Sequence, residues 1–81
     1  MGVKNAVVER FKNICQERNI KMNELAVISG VTPSSVYSML DSKRHNISIV
    51  LIKKLCDGLD ISLAEFFDSE EFDLLEQEIE W

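Results

Sequence analysis

Residues Met22–Leu40 read MNELAVISGVTPSSVYSML, and this stretch decides the fold. Leu25 and Ala26 mark the inward face of a short helix running from Met22 to about Ser29. Gly30 follows, and glycine ends helices because positive φ costs it nothing. In Val31-Thr32-Pro33, the Thr32 hydroxyl can cap a helix. Pro33 suits the first helical position, where no amide donor is needed. A second helix therefore begins only about two or three residues after the first ends. It continues to about Leu40, with Val36 and Met39 inward at i and i+3.

Working outward, helical periodicity dominates the chain. Val7, Phe11 and Ile14, with Val8 beside them, fall on one face of a helix from about Lys4 to Arg18. Asn19 is a reasonable stop, because Asn tolerates the left-handed conformation. Asp41–Asn46 is a polar, basic loop. Ser48 caps a fourth helix through about Gly58, with Ile49, Ile52, Leu55 and Cys56 on its apolar face. Ser62-Leu63-Ala64-Glu65 has the form of a capping box and starts a short fifth helix burying Leu63, Phe66 and Phe67. Asp68-Ser69-Glu70-Glu71 repeats that form. It predicts a sixth helix or helical tail with Phe72, Leu75 and Ile79 on one side and Leu74 and Trp81 pointing elsewhere. The expectation is an all-α, compact five-helix domain over residues 1–67, with residues 68–81 an acidic extension rather than an independent domain.

Eighty-one residues make one domain with one modest core. Hydrophobic residues are 46% of the chain and charged residues 28%, which suits a globular protein rather than a disordered one. No apolar run approaches the roughly 18 residues of a membrane span, so no membrane partner is expected. Met1–Arg10 lacks the layout of a secretory signal, which places the chain in the cytoplasm. In that reducing compartment Cys15 and Cys56 are expected to be small apolar fillers rather than a disulfide or a zinc site. Net charge is −5, yet the nine Lys and Arg all fall between Lys4 and Lys54. Half of the fourteen acids (Asp68, Glu70, Glu71, Asp73, Glu76, Glu78, Glu80) crowd the last fourteen residues. Nine cations against seven acids leave residues 1–67 at +2, while the tail carries −7. The partition, not the total, is the useful signal.

A short glycine-containing turn makes two helices cross steeply, the layout of a helix-turn-helix. Such a pair braces its first helix on the DNA backbone and presents the N-terminal turn of the second to the major groove. That turn needs small or polar outward side chains, and Pro33, Ser34, Tyr37 and Ser38 are the candidates. The loop Lys43-Arg44-His45-Asn46 supplies basic groups to flank the groove. Nothing points to catalysis. There is no glycine-rich phosphate loop, no metal-ligand spacing and no nucleophile with a base, and the one histidine, His45, has no acidic orienter nearby in sequence. No cofactor is expected.

Glu24-Leu25-Ala26, Gly30-Val31-Thr32 and Ser34–Met39 together resemble the Cro/repressor-like (XRE-type) helix-turn-helix family of bacteria and phages. The same holds for Ser42-Lys43-Arg44, Ile49, Leu55 and Asp60–Phe67, so the likeness runs in register over about residues 5–67. The resemblance implies operator binding, usually by a homodimer on a two-fold site of double-stranded DNA. Carried over by position, base contacts fall on Pro33, Ser34 and Ser38 with Tyr37 close by. Phosphate contacts fall on Lys21, Met22, Thr32, Lys43, Arg44, His45 and Asn46. The chain departs from the family pattern where Lys21-Met22 replaces a Ser or Thr cap followed by Gln. Its recognition face also lacks Gln, Asn or Arg, so base reading rests on weakly discriminating hydroxyls, Tyr37 and DNA shape.

Several positions keep more than one reading. Ser35 helps the helix start rather than touching a base, and Tyr37 either reads DNA or packs on a neighbouring helix. Val27 and Ile28, where helix two would normally be polar, pack on the tail or on a second subunit. The tail is a solvated helix packed back on the domain, a dimer or partner element built on Phe72, Leu75 and Ile79, or an autoinhibitory segment competing with DNA. The leading reading of the whole chain is a transcriptional regulator, a repressor. The alternative is a protein-interaction module, such as the antitoxin of a toxin–antitoxin pair.

Overall fold

A computed structural model describes residues 2–79. Trp81 and Glu80, both part of the reading of the tail, lie outside the described residues, as does Met1. Six helices follow one another: α1 (Val3–Arg18), α2 (Met22–Ile28), α3 (Pro33–Leu40), α4 (Ile49–Gly58), α5 (Leu63–Phe67) and α6 (Glu70–Asp73). There is no strand among the described residues, as the all-α reading expects.

One device ends three of these helices. Asn19, Gly30 and Asp60 take left-handed backbone conformations with φ of 56°, 69° and 57°. Each is followed by an aliphatic residue whose amide reaches back to a carbonyl five residues earlier: Ile20 to Cys15, Val31 to Ala26 and Ile61 to Cys56, at 2.9, 3.1 and 3.0 Å. Those pairings satisfy carbonyls that would otherwise be orphaned and define the Schellman stop. Ile20, Val31 and Ile61 all pack against the core, so each stop also folds the chain inward.

The core gathers Val7, Phe11, Leu25, Ala26, Val36, Met39, Ile52, Leu55, Leu59 and Phe66. An aromatic series ties α1 to the C-terminal end. The Phe11 and Phe66 rings lie 4.3 Å apart, Phe67 meets Phe66 edge-on at 4.9 Å, and Phe72 sits 5.0 Å from Phe67. Cys15 and Cys56 are free thiols buried in this core. Burial pushes both above the ordinary thiol range, and Asp57 adds to the effect at Cys56.

Three expectations need correction. Ile49 is 58% exposed, because the first turn of α4 projects past the elements that cover Ile52 and Leu55; Leu59 fills the inward position at the other end. The sixth helix is a single turn starting after Ser69, without a side-chain cap, and residues 75–79 are not helical. Glu70 and Glu71 suit its first turn, where the dipole favours acids, but Glu76 and Glu78 follow its C-terminal end, where they oppose the dipole. No Lys or Arg stands within four residues to pair with them, so nothing propagates the turn. Phe72, Leu75 and Ile79 therefore share no helical face: Phe72 and Leu75 are half-buried and Ile79 is exposed.

Gly58 stands where α4 crosses the end of α2. A Cβ there would meet the Ser29 Oγ at 2.1 Å and the Ser29 Cβ at 3.0 Å. Gly58→Ala is expected to destabilise the domain by about 1–3 kcal/mol, the usual cost of overpacking. That lowers the midpoint of a circular-dichroism melt by roughly 4–8 °C per kcal/mol. Ser29→Gly should recover part of the loss, since it removes the two closest atoms. A melt unchanged by Gly58→Ala would refute the close approach.

Candidate nucleic-acid interface

The turn between α2 and α3 sets the geometry. Gly30 and Val31 close α2, and Thr32, in extended conformation, opens α3 immediately afterwards. Thr32 Oγ1 accepts from the Ser35 amide at 3.3 Å and shares a hydrogen bond with Ser35 Oγ at 2.9 Å. Ser34 Oγ donates to the same oxygen at 3.3 Å. With Pro33 at the first helical position, the turn is rigid and small. Val36 and Met39 are buried and fix the helix against the core.

Pro33, Ser34 and Tyr37 are exposed and Ser38 is half-buried, all on α3. Tyr37 leans across to α2, where its hydroxyl donates to Asn23 Oδ1 at 2.7 Å. Its ring is thus held at the seam of the two helices, and no pattern in the sequence pointed to Asn23 as partner. At the start of α2, Lys21 offers no side-chain acceptor. The Lys21 amide is satisfied instead by Glu24 Oε1 at 3.2 Å, the half of a capping box that needs no Ser or Thr. Met22 is half-buried against the core.

The basic loop is organised by one residue, Asp41. Its carboxylate accepts from the Lys43 amide at 3.0 Å and lies 3.9 Å from the Arg44 guanidinium; its carbonyl accepts from the Arg44 amide at 3.1 Å. The same carbonyl takes a 2.8 Å hydrogen bond from Lys4 Nζ, although Lys4 is only 7% exposed. Lys4 thus anchors the C-terminal end of α3 to α1. Its position, in register with Val7, Val8 and Phe11 on the inward stripe, was the available signal. Lys43, Arg44, His45 and Asn46 are all exposed beyond this anchor.

Most of the other cations are occupied. Arg10 donates to the carbonyls of Phe66 and Glu65 at 2.9 and 3.1 Å, and Arg18 donates to the Leu59 carbonyl. Lys12 pairs with Glu9 and Lys53 with Asp57. Lys21, Lys43 and Lys54 have no carboxylate within 4 Å among the described residues. Lys21, Lys43 and the weakly paired Arg44 therefore supply the cations available around α3.

The geometry agrees with the comparisons to known proteins. The chain belongs to the Cro/C1-type helix-turn-helix DNA-binding domain family, whose model matches residues 10–71. It is also similar to the crystal structure of the prophage Lp1 protein 11. The TM-score is 0.82 and the identity 26%, over 93% of this chain and 100% of that one. No curated protein matches the chain. Family membership makes this a DNA-binding regulator of the helix-turn-helix class. No helix is long and apolar enough to cross a membrane, and no group of three or more metal-ligating side chains occurs among the described residues.

Lys4→Met keeps the buried stem but leaves the Asp41 carbonyl without its ammonium. The expected cost is about 1–3 kcal/mol in a denaturant titration. Amide exchange should quicken at Lys43 and Arg44, whose hydrogen bonds depend on Asp41. A loop unchanged in exchange rate would mean that Lys4 does not position it.

Proposed function

We propose that the chain is a sequence-specific repressor acting from the cytoplasm as a homodimer on a two-fold operator, with α3 in the major groove. The observation that carries this reading is the small, capped N-terminal turn of α3 on the same helix that leads into an exposed basic loop. Pro33, Ser34, Tyr37 and Ser38 contact base edges. Lys21, Met22, Thr32, Lys43, Arg44, His45 and Asn46 line the flanking phosphate backbone, Met22 by packing rather than hydrogen bonding. Repression is steric: a dimer filling two major grooves about one turn apart excludes polymerase.

Energetics favour backbone contacts over base contacts. Serine hydroxyls discriminate weakly compared with bidentate Arg–guanine or Gln–adenine pairs. Lys21, Lys43 and Arg44 on each of two protomers would neutralise about six phosphates, so log K against log salt should fall with a slope of roughly −5.

A second reading, a protein-interaction module such as an antitoxin, draws support from Val27 and Ile28, which are 74% and 55% exposed on the outer face of α2. The tail leaves that face uncovered, because α6 packs on α1. Ile79 and Leu74 also face outward.

Selection from a random duplex library at two salt concentrations tests the leading reading. An enriched two-fold symmetric motif, lost at high salt, is the expected result. Lys43→Ala should weaken binding evenly across sequences and lower the salt slope by about one per protomer, whereas Tyr37→Ala should relax preference at one or two positions. No enrichment would move the weight to the interaction module.

A further inference from the structure

The acidic tail turns back on the domain. Phe72 lies among the aromatic rings over the middle of α1, and Glu71 borders a cleft with Arg10, Asn13 and Gln16. Seven residues later, Glu78 has reached the N-terminal end of α1. Its Oε2 lies 3.5 Å from the point a Cβ on Gly2 would occupy. The cleft it enters is lined by Lys4, Ser42, Arg44 and His45. The tail thus runs along α1 against the chain direction and ends beside the basic loop.

The charges around Glu78 are unequal in what they can offer. Lys4 is committed to the Asp41 carbonyl. Asp41 holds Arg44 only loosely, at 3.9 Å, and Arg44 is exposed. Among the described residues Glu78 closes no ion pair within 4 Å, so its influence on Arg44, which lines the same cleft, acts through solvent, where the Debye length is about 8–10 Å. Glu76, two residues earlier, is exposed and adds a second negative charge to the same stretch. A phosphate approaching this loop meets carboxylates already in its field.

We propose that residues 74–79 form an autoinhibitory segment, an internal polyanion that competes in cis with DNA phosphate for the Lys43–Asn46 loop. The inference rests on the reading of that loop as a phosphate-binding element. DNA binding then requires the segment to be displaced, and part of the counterion release is replaced by tail release. The intact chain binds duplex more weakly at low salt, and with a shallower salt slope, than the loop alone would allow. The Phe72 anchor is left in place, so the segment stays close enough to rebind.

The test uses the full chain and generic duplex DNA of about 20 base pairs, with fluorescence anisotropy at low and high salt. Glu76→Gln/Glu78→Gln removes the charge at the cleft and the one two residues before it. Asp68→Asn/Glu70→Gln removes two charges at the far end of the tail. The first pair is expected to tighten binding by about two- to fivefold at low salt, from the Coulomb energy of charges several ångströms apart in water. The gain should vanish at high salt, and the second pair should leave affinity nearly unchanged. Equal tightening by both pairs would reduce the effect to net charge and overturn the inference, as would no change from either while all three chains bind. Failure of all three to bind any duplex would overturn the DNA reading itself and this inference with it.

Discussion

Three basic side chains of α1 hold the C-terminal ends of three other helices. Lys4 donates to the carbonyl that follows α3, Arg10 to the last turn of α5, and Arg18 to the carbonyl that follows α4. Helix C-termini carry orphan carbonyls and partial negative charge, so cations there are favourable twice over. A charge-assisted hydrogen bond contributes about 1.5–3 kcal/mol where it is shielded from water. Lys4 meets that condition, while the more exposed Arg10 and Arg18 deserve a smaller share. Arg10 also lies over the Phe66 ring, with its Cζ 6.0 Å from the centroid. Against a total stability of roughly 5–15 kcal/mol, such contacts help decide where the short helices sit.

That use of cations shapes function. A count of nine basic residues suggests a strongly basic domain, yet a third of them are spent on carbonyls and two more on ion pairs. What remains near α3 is Lys21, Lys43 and Arg44, with Lys54 on α4. The proposed DNA surface is therefore small, and on that reading even a few carboxylates nearby matter to it. Asp41 illustrates the compromise: it shapes the loop through two backbone amides and Lys4, at the expense of partly neutralising Arg44.

Local signals were legible in the sequence. Asn19, Gly30, Thr32, Pro33, Ser48 and the Ser62–Glu65 capping box each act within a few residues, and each ends or begins a helix where its chemistry says it should. Contacts between distant residues were not. The bonds of Lys4 to Asp41, Tyr37 to Asn23 and Arg18 to Leu59, and the close approach of Gly58 to Ser29, depend on how helices cross, which no periodicity encodes. Ile49 was misread because a helical stripe shows which side is apolar but not how far the neighbouring elements extend along it. The start of the tail helix after Ser69 and the packing of Phe72 were legible, but its early end was not. Its apolar spacing fits a helix, but seven acids without a single Lys or Arg leave no i,i+4 pair to support one.

The central claim is that the exposed turn of α3 and the loop behind it form one DNA-binding face, built on α1. Amide chemical-shift mapping of the labelled chain, titrated with duplex DNA at low salt, tests it most directly. The account expects the largest changes at Ser34–Ser38 and Lys43–Asn46, clear ones at Lys21 and, as the tail is displaced, around Glu78, and none on the outer face of α2 at Val27 and Ile28. Changes centred on Val27 and Ile28, or none at α3 while the duplex is bound, would contradict it.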